Sequence, residues 1–187
     1  MVLDIKELDV ELQKMIDGDK LAISRPLVIG RPSRILIQCG ADPDQSVTIT
    51  KKVIDKSMRS EARDQNGRLI GNTGHGLTKE MLISAIKEFE SPLLIFRGRQ
   101  DNSLLIITDV KDQKNRSIVI AIELERQEGF TKMISIRSIY GRDNLSFYIS
   151  SNIDDGNLLA AKKNKADELL RSIGKSYPKE NTFISFE

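Results

Sequence analysis

One histidine, His75, stands in 187 residues, within Gly74-His75-Gly76-Leu77 and directly ahead of a helical pattern. Imidazole is the side chain best suited to moving protons near neutral pH. The other residues of chemical interest are basic or hydroxylic: Lys56, Arg97, Arg99, Ser103, Arg137, Ser138, Tyr140 and Arg142. Cleavage of RNA by its own 2′-OH needs little more than such a set. A base takes the 2′-OH proton, an acid protonates the departing 5′ oxygen, and cations stabilise the charged, phosphorane-like transition state. The plainer reading is a capping or surface histidine among solvated strand and loop charges.

Signatures of other chemistry are missing. Gly71-Asn72-Thr73-Gly74-His75-Gly76 lacks the Lys-Ser/Thr ending and the preceding strand of a phosphate-cradling loop. One histidine and one cysteine, Cys39, do not make a zinc site, and no Gly-x-Ser-x-Gly elbow exists. The expectation is therefore no metal and no cofactor. With a single cysteine, no intrachain disulfide can form. The 39% hydrophobic and 30% charged content is that of an ordinary folded protein. Lys and Arg number 29 against 27 acidic residues, a net charge of +2, so any basic surface must come from local clustering. No apolar run has the length of a membrane span, and Met1-Val2-Leu3-Asp4 does not resemble a signal peptide. No membrane partner is expected, and the expected site of action is the cytoplasm, of the producing cell or of a target cell after delivery.

Several elements must position these residues. Leu8, Leu12, Met15 and Ile16 form one face of a short helix ending near Gly18; residues 26–30 and 34–38 read as extended. Gly40 to Gln45 is a turn and a candidate boundary, which divides the chain into an N-terminal arm, 1–45, and a main domain, 46–187. Val47-Thr48-Ile49 alternates as a strand, and Thr50 caps a helix with Val53, Ile54 and Met58 on its apolar side. Ser60 to Thr73 is a polar loop leading to His75. Thr78 caps a second helix in which Leu82, Ala85, Ile86 and Phe89 repeat at helical spacing, and Ser91-Pro92 ends it. Four β-rich runs follow, at 93–96, 103–108, 117–124 and 133–140, joined by turns too short for crossovers. A fifth strand is expected near Phe147-Tyr148-Ile149 or Leu158-Leu159, and a last helix runs from Asn164 to Gly174. The class is α+β: N-terminal helices on one face of an antiparallel four- to five-stranded sheet, plus a C-terminal helix, with the other face free for a ligand. In a regular strand Ser138 and Tyr140 share a face with Ile136, and Arg137 points away unless a bulge intervenes.

From about Val47 to Gly174 the chain resembles the toxin-type ribonuclease domains found at the C-terminus of phage MuF proteins and in large polyvalent phage proteins. These are members of the barnase/EndoU/colicin/RelE-like (BECR) group. The resemblance rests on Thr48-Ile49-Thr50 with Lys56 in the next helix, and on His75-Gly76-Leu77-Thr78-Lys79-Glu80 before the Leu82 helix. It continues through Ser91-Pro92 to Ile95-Phe96, Asn102-Ser103 with its strand to Asp109, Ile118 to Ala121, and Ser138-Ile139-Tyr140-Gly141-Arg142. It implies an α+β fold and metal-independent endonuclease action on RNA, with His75, Lys56, Ser138 and Tyr140 as catalytic positions. Two departures stand out: Ile134 replaces a polar Asn often found four residues before Ser-x-Tyr-Gly, and the loop before His75 is long.

Together these readings describe a toxin or effector domain of phage or mobile-element origin. In this reading His75 is the expected general acid or base, Lys56 the expected source of charge, and Ser138 with Tyr140 the groups expected to orient or donate to the phosphate. Arg97, Arg99, Arg142 and Ser103 are the expected substrate contacts. RNA, with tRNA as one candidate, is the expected partner, besides an immunity or partner protein. The rival is a non-catalytic phage-type module that binds RNA or protein on the same scaffold, a reading the small net charge favours.

Overall fold

The computed structural model describes residues 5–62, 64–68, 70, 74–178 and 183–187, and in them seven helices and eight strands. In chain order these are α1 (Ile5–Ile16), α2 (Lys20–Ile23), β1 (Leu27–Gly30), α3 (Arg34–Gln38), β2 (Val47–Ile49), α4 (Lys51–Met58) and α5 (Lys79–Lys87). Then follow β3 (Leu94–Arg97), β4 (Ser103–Lys111), β5 (Ser117–Glu128), β6 (Thr131–Gly141), α6 (Leu145–Asp154), β7 (Leu158–Lys162), α7 (Lys165–Ser172) and β8 (Ile184–Phe186). All strands join one sheet in the order β1-β2-β6-β5-β4-β3-β7-β8. The class is α+β, as the residue pattern implies, but the sheet is larger than four or five strands. The β3–β6 meander is antiparallel, whereas β2 lies parallel to β6 and β8 parallel to β7.

Both faces of the sheet are covered. On the first, Leu8, Leu12 and Met15 of α1, Ile54 of α4, Leu82 and Ile86 of α5, and Phe89 just after it pack with Ile106, Ile120 and Ile136. Residues of the N-terminal 45 thus share a core with the central strands. On the second face, Ile149 and Ile153 of α6 and Ala166 and Leu170 of α7 cover Phe96, Leu105, Ile107 and Val119. This corrects the expectation of a free face. Strands β3 to β5 are buried on both sides, which is why they read as continuous apolar runs rather than clean alternation.

Two local readings are also corrected. Residues 34–38 are helical, because Ser33 stands at the N-cap with its side chain accepting from the Leu36 amide. Phe147-Tyr148-Ile149 lies in α6, and the strand falls at Leu158-Leu159 instead. Among the described residues, no helix is long and apolar enough to cross a membrane.

Candidate functional site

His75 sits on a strap between α4 and α5 that hangs from the end of α4. The amides of His75, Gly76 and Leu77 donate to the carbonyls of Lys56, Arg59 and Ser57, at 3.0, 2.8 and 2.9 Å. These carbonyls belong to the helix end, where backbone acceptors have no intrahelical partner. The flanking glycines are required by this attachment. A Cβ on Gly74 would fall 1.9 Å from the Arg59 carbonyl oxygen, and Gly76 has a φ of +67°. They do not loosen the histidine: its Nε2 is buried and has no hydrogen-bond partner.

Beside the strap, a cleft of about 240 Å³ opens between α4 and β6. Its lining includes Lys56, His75 and Ser138, so three of the four residues expected to act are brought together. Its other charged lining residues are Lys52, Arg126 and Arg137, and no carboxylate lines it among the described residues. Arg137 pairs with Glu123 at 3.1 Å. Ser57, fully buried, also lines the cleft and leaves its hydroxyl without a partner. Buried polar groups are nearly always bonded, so these two atoms are available to solvent or to a polar ligand in the cleft.

Tyr140, the fourth residue, reaches the site from the side. Its ring centroid is 5.4 Å from that of His75, at an interplanar angle of 40°. Its hydroxyl oxygen accepts a hydrogen bond from Arg142 Nη1 at 3.1 Å. Burial lowers the pKa of His75 below its ordinary 6.5; the charge of Lys56 pushes the same way, and Glu61 opposes them. The imidazole is accordingly neutral at pH 7 and competent as a base.

A β-bulge explains the positions on β6. Ala121 pairs with Ser138 and Ile122 with Ile136, which leaves Arg137 as an extra residue. The strand therefore exchanges its faces at that point. Ile136 and Ile139 both enter the first core, and Tyr140 leans on the second. Ile136 and Tyr140 do not share a face, contrary to the regular-strand expectation, and Arg137 lines the cleft along with Ser138.

The expected substrate contacts divide. Arg97, Arg99 and Arg142 line a second cleft, of about 380 Å³, with Phe147 and Tyr148 of α6. Ser103 is spent locally, donating to the Gln100 carbonyl at 2.6 Å. An ionic cluster, buried at Arg116, Asp112 and Glu61 and exposed at Asp143, lies nearby: Arg116 bonds Asp112 at 2.7 Å through Nε and pairs with Glu61 at 2.6 Å and with Asp143 at 3.3 Å. It also fixes the glycine of Ser-x-Tyr-Gly, since a Cβ on Gly141 would lie 2.0 Å from Asp112 Oδ2.

Lys52, Ser57, Arg126 and Ser135 were not among the residues expected here. Lys52 and Ser57 stand near Lys56 on α4, so helical spacing could have found them; Arg126 and Ser135 arrive only through strand pairing. Cys39 takes no part: burial pushes its thiol up to about 11. Of the site motifs, Gly71-Asn72-Thr73 lies outside the described residues.

The family model of the phage MuF C-terminal domain matches residues 70–168, just over half of the chain. The matched span includes His75, Ser138 and Tyr140, while Lys56 precedes it. No curated protein and no solved structure matches the chain.

Proposed function

The chain belongs to the phage MuF C-terminal domain family, and from that premise we propose that it is an endoribonuclease-type toxin or effector domain of the barnase/EndoU/colicin/RelE-like group. The observation that carries this reading is the cleft in which, among the described residues, the unpartnered His75 Nε2 and Ser57 hydroxyl meet cations and no carboxylate. Such a lining suits a phosphodiester, whose charge grows in the transition state. It suits a hard divalent cation poorly, since those ions are held by oxygen ligands, chiefly carboxylates.

The neutral His75 takes the 2′-OH proton on Nε2 as the 2′ oxygen attacks phosphorus. The P–O5′ bond then breaks, and O5′ is protonated by Tyr140, whose hydroxyl accepts from Arg142 and keeps its own hydrogen to donate. Lys56, with Ser138, holds the phosphate oxygens. The products are a 2′,3′-cyclic phosphate and a 5′-OH. In this reading residues 46–187 carry the reaction and the 1–45 arm completes their core.

The rival, a non-catalytic RNA- or protein-binding module, draws support from Ile134, which is fully buried where the family often carries Asn. One experiment separates the two. Purified protein is incubated with total RNA in EDTA, and the new ends are analysed. Cyclic phosphate ends formed in chelator are the expected result. Cleavage abolished by EDTA and restored by Mg²⁺ sinks the mechanism, and no cleavage at all favours the rival.

A further inference from the structure

We infer that the cleft bounded by Arg97, Arg99, Arg142, Phe147 and Tyr148 is a stacking subsite for an unpaired base of RNA, next to the phosphate held at His75. The inference rests on the endoribonuclease reading and adds to it that the substrate is single-stranded there. Duplex bases present no free face to an aromatic ring, whereas unpaired ones stack on aromatic side chains and guanidinium planes.

Three observations meet at this cleft. First, Phe147 is 78% exposed, a large apolar ring kept in water on a helix that buries Ile149 and Ile153 instead. Isolated exposed apolar residues are common; this one lines a concave surface with three guanidinium groups. Phe130, still more exposed, follows Gly129 in the turn between β5 and β6 and lines neither cleft. Second, Arg142 already forms half of a stack, with its guanidinium carbon 3.6 Å from the Tyr148 ring centroid and its Nε buried without a partner. Third, the cleft is joined to the first by direct side-chain contacts. Arg142 bonds the Tyr140 hydroxyl, and the Tyr140 ring meets that of His75. An RNA strand that follows these contacts would run from the His75 cleft to the cleft that Phe147 lines.

The charge balance agrees. Arg97 and Arg99 are exposed on the rim, and of the two carboxylates that line the cleft, Asp143 pairs with Arg116. The remaining excess of cations suits the backbone that flanks a stacked base.

The test uses the full chain and a fluorescent, 2′-O-methylated single-stranded oligoribonucleotide, which cannot be cut through its 2′-OH. Binding is followed by anisotropy at low salt. Phe147→Ala should weaken binding by roughly 5- to 150-fold, the usual range for losing one stacked base. Phe147→Trp should restore it, Phe147→Leu should not, and a duplex of the same sequence should bind more weakly than the single strand. Equal binding by wild type and Phe147→Ala, with loss on Lys56→Ala, overturns the subsite and leaves the endoribonuclease reading intact. Full rescue by Leu, or a duplex bound as tightly as the single strand, also overturns it. A wild-type protein that binds no RNA overturns both readings.

Discussion

Strand β6 passes through two unlike surroundings. Near β5 and β4 the sheet is dry: Ile106, Ile107, Val119 and Ile120 are fully buried, and helices close both faces. Near β2 and α4 the same strand, shifted by its extra residue Arg137, turns Ser138 and Arg137 into a charged cleft. The centre is built of paired strands whose apolar side chains are buried on both faces. The cleft is lined by polar and charged groups, among them His75 Nε2 and the Ser57 hydroxyl, which no protein group bonds. The two regions of one strand are thus held by different interactions, and substitutions in them should fail differently.

The largest effect is expected at the centre. Ile106→Ala removes a fully buried side chain between packed layers and should cost about 2–5 kcal/mol, read as a fall in Tm of roughly 5–15 °C. RNA cleavage per folded molecule should be unchanged at low temperature. A cleavage defect as large as the stability defect would show that the two regions are coupled.

His75→Ala should behave in the opposite manner. General acid–base groups contribute about 10²–10⁴-fold, so cleavage should fall by at least roughly 100-fold. The lost imbalance is small, because the imidazole Nε2 has no partner to abandon, and the stability cost should stay at about 1 kcal/mol or less. Wild-type cleavage by a folded His75→Ala protein would remove the mechanism, and loss of folding would make His75 a core residue.

A smaller effect concerns pH. The folded protein holds the His75 pKa below 6.5, mainly by burial. As pH falls below 6.5 the unfolded chain binds more protons than the folded one, so stability declines until the folded pKa is reached. Within that window the slope cannot exceed about 1.4 kcal/mol per pH unit from this group. Urea midpoints measured from pH 7 down to 5 should fall less steeply for His75→Gln than for wild type. Parallel slopes would mean that His75 titrates as it would in water.

Much of the centre was legible because each element carried its own signal. Thr78 accepts from the Met81 amide as a cap should, and Leu82, Ala85, Ile86 and Phe89 are all buried. Other elements contradict their local composition. The β-rich triplet Phe147-Tyr148-Ile149 is helical because Ile149 and Ile153, one turn apart, pack on β3 and β4 residues. Arg34 to Gln38 has strand-like residues but is held as a helix by Ser33. At the site, His75 was legible from its type alone. The place of Arg137 in the lining of the cleft was not, because a bulge leaves no mark in a period of two. Arg126 and Ser57 were hidden for a simpler reason: surface cations and lone serines acquire meaning only from their neighbours.

The strap that carries His75 is bonded to helix-end carbonyls, and this ties its position to the fraying of α4. Helix ends open and close far more readily than sheet centres. Each opening of the last turn of α4 frees the Lys56, Ser57 and Arg59 carbonyls and so releases the amides of His75, Gly76 and Leu77 to solvent. In hydrogen exchange those three amides should share one opening free energy with that turn, well below the value for β4 and β5. The imidazole and the Lys56 ammonium would then leave and return to the cleft in step.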